Sequence, residues 1–321
     1  IAKYLPERFV ERIELLTFHS LCAFNIGKHE EAQECFIQAL KINKQYNHDN
    51  STTKAQILYE LGNIYLKLSQ HEQALTYYEQ SKLYFLKQNS PEDLRYPNLL
   101  DSLGKVYLLL GKPDQAYDIL IESYNLQVKA YGEEDIRIIN CLSSLGNVLK
   151  EQSKYTEALE YLNKALKLLN QSDDMKGALA VCLSVIGECH MAKGSLDEAE
   201  SFYEKSLQTQ AELHGPDNGG IAAITRLLGN LALRKKNYAK AEELLNRALD
   251  LYLQSLGPNH PHVGVLYNDI GCVYDAQGNF EKALEYNIKS LDLHLQLNGL
   301  EEPNTIIILV NLGTLYRRME R

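Results

Sequence analysis

Gly62, Gly104, Gly146, Gly187, Gly229, Gly271 and Gly313 recur every 42 residues, with a single interval of 41. Twelve residues after each of the first six stands an alanine: Ala74, Ala116, Ala158, Ala199, Ala241 and Ala283. Seven further on the residue is always small: Ser81, Ser123, Ala165, Ser206, Ala248 and Ser290. A small residue at a fixed phase lets two helices approach closely, so the pattern describes a helical hairpin stacked on copies of itself. Ser20, Ala32 and Ala39 hold the same offsets upstream. Length alone would suggest about two domains. A repeat array instead predicts one all-α stack over residues 1–321, with repeats at 13–54, 55–96, 97–138, 139–179, 180–221, 222–263 and 264–305 and a partial eighth at 306–321.

Each repeat reads as helix A, a tight turn, helix B and a linker. Gly27, Gly111, Gly194 and Gly278 mark the turn, where a left-handed backbone costs glycine little. Pro113 falls in the first turn of a helix B, where its missing N–H does no harm. Gly132, Gly215, Gly257 and Gly299 are in phase as helix-B ends, and Asp135, Asp217, Asn218 and Asn304 are in place as caps for the next helix A. The short interval falls in Gln171–Lys176, which lacks glycine and proline, so a small change in rise or twist is expected there.

These residues carry a family resemblance. The spacing of Leu61-Gly62-Asn63-Ile64-Tyr65, the alanine and the small residue resembles the tetratricopeptide repeat over nearly the whole chain. The 42-residue period and the linkers Leu256-Gly257-Pro258-Asn259-His260-Pro261 and His214-Gly215-Pro216-Asp217 resemble the kinesin light chain subclass. The resemblance implies a right-handed α-solenoid whose concave groove binds peptide segments of partners. It implies adaptor work, no enzymatic chemistry and no cofactor.

On a helical wheel with each ladder glycine at zero, the slots five, four and one before it, and two and three after it, are apolar or small. The slots six, three and two before, and one, four and five after, share the opposite side. They are expected to line the groove. Asn63, Lys105, Asn147 and Asn230 stand just after their glycines, and Asn140 stands six before. An asparagine amide both donates and accepts, so a column of them suits an extended peptide main chain. The alternative is asparagine on an ordinary solvated helix. Arg226, Asn230 and Arg234 make one donor stripe with Asn268, suited to an acidic ligand through guanidinium–carboxylate forks. The alternative there is that Asp269 and Asp275 pair with the arginines. Asn140, Ser143, Asn147 and Lys150 make a second polar stripe. Leu66 and Leu108 sit at the groove edge, either as pockets for ligand anchors or as helix packing. Chaperone-binding members of the family carry a five-residue clamp; Ile307 and Asn311 stand in two of its slots, which disfavours that ligand.

The net charge of −9 argues against nucleic acid, and apolar runs of a few residues argue against membrane insertion. Six cysteines without a C-x-x-C pair read as small buried residues in a reducing, cytoplasmic compartment, Cys22, Cys141, Cys182 and Cys189 among them. Cys272 alone takes a groove slot and is expected to meet thiol reagents. His260-x-His262 lacks a third ligand, and Cys182, Cys189 and His190 read as core, so no metal is expected. Two rival readings stay open: a regulatory segment of a larger enzyme or signalling protein, and a module that self-associates through an apolar end at Ile306–Tyr316.

Overall fold

A computed structural model describes residues 5–45, 51–87, 93, 95–215, 218–299 and 303–319. Among them are fifteen α-helices, two short 3-10 turns and no strand. The chain divides into two compact units, 1–168 and 169–321. The first contains the hairpins α1 (Leu5–Asn25) with α2 (His29–Gln45), α3 (Ser51–Lys67) with α4 (His71–Lys87), α5 (Arg95–Leu109) with α6 (Pro113–Tyr131), and α7 (Ile139–Glu151) with α8 (Tyr155–Leu169). The second contains α9 (Lys176–Lys193) with α10 (Leu196–His214), α11 (Gly219–Arg234) with α12 (Tyr238–Leu256), α13 (Pro261–Ala276) with α14 (Phe280–Asn298), and α15 (Pro303–Met319). The expected repeat boundaries at 55, 97, 180, 222, 264 and 306 fall inside odd-numbered helices. Except at α7, which starts at 139, each helix A after the first begins ahead of the phase that the glycine ladder defines.

The ladder glycines are places where helix B leans on helix A. A Cβ on Gly104 would stand 2.5 Å from Leu120 Cγ, and one on Gly229 would stand 2.7 Å from Leu245 Cγ. Gly62 and Gly187 lie under the rings of Tyr78 and Tyr203, both fully buried. The small slot does more than permit approach. Ser81 Oγ donates to Ala55 O at 2.7 Å, Ser206 to Ala180 O at 2.6 Å and Ser290 to Gly264 O at 2.6 Å. Helix B is thereby tied to the first turn of its own helix A, by a bond worth about 1 kcal/mol net.

The hairpin turns are left-handed in every repeat. Gly27, Gly111, Gly194 and Gly278 have φ between 69° and 84°, and the same slot elsewhere holds Ser69, Ser153 and Lys236 at 58°, 60° and 59°. Side chains tolerate this because the next N–H closes the turn: Gln70 donates to Tyr65 O, Lys154 to Leu149 O and Asn237 to Ala232 O, at 2.8–2.9 Å. Helix B ends differently, with Gly257 at φ 79°, ψ 172°, a region that only glycine enters cheaply.

Of the expected caps, Asp135 accepts from Arg137 N at 2.9 Å, and Asn218 accepts from Gly220 N at 2.8 Å and Ile221 N at 3.2 Å. Asn304 lies within the first turn of α15 and not ahead of it. Pro216 and Asp217 fall outside the described residues.

Cys141, Cys182 and Cys189 are buried, but Cys22 is exposed, contrary to its reading as core. Ile64, in the same slot, is buried in a cluster that includes Ala32 and Phe36 of the preceding hairpin. Cys22 is on α1, which has no preceding hairpin among the described residues.

Candidate functional site

In the first unit, the groove slots of three successive A helices enclose a pocket of about 390 Å³. Leu66 comes from α3, Lys105, Leu108 and Leu109 from α5, and Ser144 and Asn147 from α7; Gly104, Leu120 and Val148 complete the lining. Bare Gly104 lets Leu120 of α6 reach the floor. The result is an apolar cleft with a cation, a hydroxyl and an amide in its wall. Leu66 and Leu108 thus line a cavity and are not merely helix packing. Lys105 is exposed and has no ion-pair partner among the described residues.

The other expected ligands in this unit are placed as follows. Asn63 accepts from Tyr78 Oη at 2.7 Å and donates to Glu60 at 3.0 Å, so its amide is already used within the hairpin. Asn147 donates to Ser143 O at 3.1 Å and lines the pocket. Asn140 is exposed, Ser143 is half-buried, and Lys150 lies 3.5 Å from Glu151.

In the second unit the same face is zipped to itself. Arg226 Nη1 and Asn230 Nδ2 of α11 both meet Asp269 Oδ2 of α13, at 3.0 and 3.1 Å. Asn311 Nδ2 of α15 donates to Asn268 Oδ1 at 2.9 Å, and Arg318 pairs with Asp275. Most of these ties join residues 43 apart, so each links a groove slot to the neighbouring slot one repeat on. Of the two readings of the arginine stripe, internal pairing holds for Arg226. Arg234 is exposed at the end of α11. Cys272, expected to meet thiol reagents, is half-buried beneath Asn311, and burial pushes its thiol up to about 11.

The histidine pair has a structural account. His260 caps α13 by accepting from His262 N at 3.2 Å, and the His262 ring stacks on Tyr252 at 5.1 Å between centroids. Burial draws the His262 pKa down. His190, read as core, is half-buried and stacked on Phe202. Among the described residues no group of three His, Cys, Asp or Glu could hold a metal ion, and no helix is long and apolar enough to cross a membrane.

A family model described as tetratricopeptide repeat matches residues 11–82, 96–171, 179–254 and 220–296. The chain belongs to the tetratricopeptide repeat family. No curated protein matches it. Solved structures similar to this tetratricopeptide repeat chain include BtubC (BKLC) from P. vanneervenii, at 18% identity and TM-score 0.55 over 72% of this chain and 91% of that one. The apo form of the quorum sensor NprR from B. thuringiensis is 16% identical with TM-score 0.66, over 95% and 87% of the two chains. Aspartyl phosphate phosphatase F from Bacillus subtilis is 16% identical with TM-score 0.70, over 93% and 74%. At these identities the likeness establishes the helical-repeat fold alone.

Proposed function

We propose that this tetratricopeptide repeat chain is a non-enzymatic interaction scaffold that captures a peptide on the helix-A face of its first unit. The observation that carries this reading is the pocket itself: groove slots of α3, α5 and α7 contribute its walls together. A peptide would seat an apolar anchor between Leu66, Leu108 and Leu109, and Asn147 and Asn140 would serve its main chain. Lys105 stands at the rim as a cation without an ion-pair partner, so an acidic residue beside the anchor is favoured there. This moves the acidic preference from the Arg226 stripe, where Asp269 already pairs with Arg226 and Asn230, to the first unit.

Asn63, Ser143 and Lys150 would bound this surface, while Asn268 belongs to a second face that engages ligand only if its tie to Asn311 opens, and exposed Arg234 stands at the edge of that face. Adaptor work of the kinesin light chain kind fits a scaffold of this sort. A protein described as a putative kinesin light chain from Podospora anserina shares the repeat fold at 18% identity and TM-score 0.53.

The test is a peptide-array capture comparing the native chain with Leu109→Glu and Lys105→Glu. Both side chains are exposed, so the fold is expected to survive the changes. Loss of anchor-bearing peptides from Leu109→Glu, and of acidic ones from Lys105→Glu, supports the reading. Equal capture by all three proteins contradicts it.

A further inference from the structure

Among the repeat serines, Ser123 is surrounded in a way the others are not. Its Oγ lies 2.9 Å from Pro97 O, the counterpart of the Ser81, Ser206 and Ser290 bonds. It also lies 2.6 Å from Asp101 Oδ1 and 2.9 Å from Gln127 Nε2, while Gln127 Nε2 reaches Asp101 Oδ2 at 2.9 Å. All three side chains are buried. The slot of Asp101 holds Tyr59, Ser184 and Asn268 in the repeats of the other three serines, so this acid is peculiar to one hairpin.

A proton count separates the two states of that acid. Ser123 has one hydrogen, and both Pro97 O and an ionised Asp101 can only accept. With Asp101 ionised, one of the two oxygen–oxygen contacts has no hydrogen between them. With Asp101 protonated every contact is served. The acid donates to Ser123 Oγ, Ser123 donates to Pro97 O, and the two amide hydrogens of Gln127 go to Ser123 Oγ and Asp101 Oδ2.

We infer that Asp101 is held as the neutral acid in the folded protein, making the α5–α6 clamp a proton-dependent contact that loosens when the acid ionises. Burial raises its pKa, and the donors on Ser123 and Gln127 and the Lys105 ammonium one turn along α5 only partly oppose that. The other groups facing it are Ser123 and Gln127 from α6, both neutral, and Cys141 from α7. Burial raises the Cys141 thiol, which keeps it neutral as well. The sign follows from linkage: an acid whose folded pKa lies above its unfolded value contributes stability below the unfolded pKa. That contribution is lost as pH rises through the folded pKa.

The test is a titration of the Asp101 carboxyl carbon by carbon-13 NMR in the full chain, with urea unfolding of the native protein and Asp101→Asn across the same pH range. Asparagine reproduces the donor and acceptor of the neutral acid. The expected result is a midpoint above the ordinary aspartate value of about 3.9, with the variant gaining on the native protein as pH rises. A midpoint at or below that value, or one that leaves the acid ionised at neutral pH, overturns the inference. Should Asp101→Asn fail to fold, the native titration decides by itself. The outcome does not depend on what fills the neighbouring pocket.

Discussion

Asp269 Oδ2 lies 3.0 Å from Arg226 Nη1, and the same oxygen takes the Asn230 amide at 3.1 Å. One carboxylate of α13 therefore engages both Arg226 and Asn230, two of the donors that α11 would otherwise show to a ligand. The pair is partly buried, with side-chain exposures of 31% and 15%, which places it above a solvated surface pair in strength. Asp269→Ala should cost about 1 kcal/mol in urea unfolding. Arg226→Ala in the same background should add little, because its partner is already gone. Additive losses would show that the two side chains do not interact in solution.

The left-handed turns invite a stabilising change. A side chain at φ near 60° costs about 1 kcal/mol that glycine avoids. Lys236→Gly and Ser153→Gly should raise stability by up to ~1 kcal/mol each, less glycine's extra entropy in the unfolded chain. Thermal unfolding reads this directly, and a lower melting temperature would refute it.

Gly104 allows no such freedom in the other direction. A Cβ at 2.5 Å from Leu120 Cγ forces the packed Leu120 side chain to shift, at about 1–3 kcal/mol. Gly104→Ala should lose that much in urea unfolding, whereas Gly313→Ala, with nothing within 4 Å, should lose none.

The cysteines should separate by rate. Cys22 is exposed and should react first with a thiol reagent at pH 8, with half-buried Cys35 behind it. Cys272 should lag, since its thiol is pushed up to about 11 and little thiolate forms at that pH. Cys141, Cys182 and Cys189 should wait for unfolding. Mass spectrometry of the labelled chain gives the order.

Periodicity made the hairpins legible because each ladder glycine, alanine and small residue answers a contact inside one repeat. Gly62 against Tyr78 and Ser81 against Ala55 recur at fixed offsets, so the pattern itself records them. What one repeat's period cannot record is which side chain of the next repeat meets it. Asp269 falls in a groove slot just as Asn230 does, and their bond is visible only once α11 and α13 lie side by side. The pocket had the same obscurity. Leu66 and Leu108 could be named at the groove edge, but a cavity needs Leu109, Ser144 and Gly104 placed around them. Cys22 was misplaced because its slot is core only where a preceding hairpin covers it. Asn304 was misplaced because the linker starts α15 one residue earlier, at Pro303.

The most direct test of the central claim is amide NMR shift mapping with a peptide captured from the array. Binding at the first-unit pocket predicts perturbation concentrated in residues 104–109 and 144–148, lost in Leu109→Glu. Perturbation centred on α11 and α13, unchanged in that variant, would contradict it.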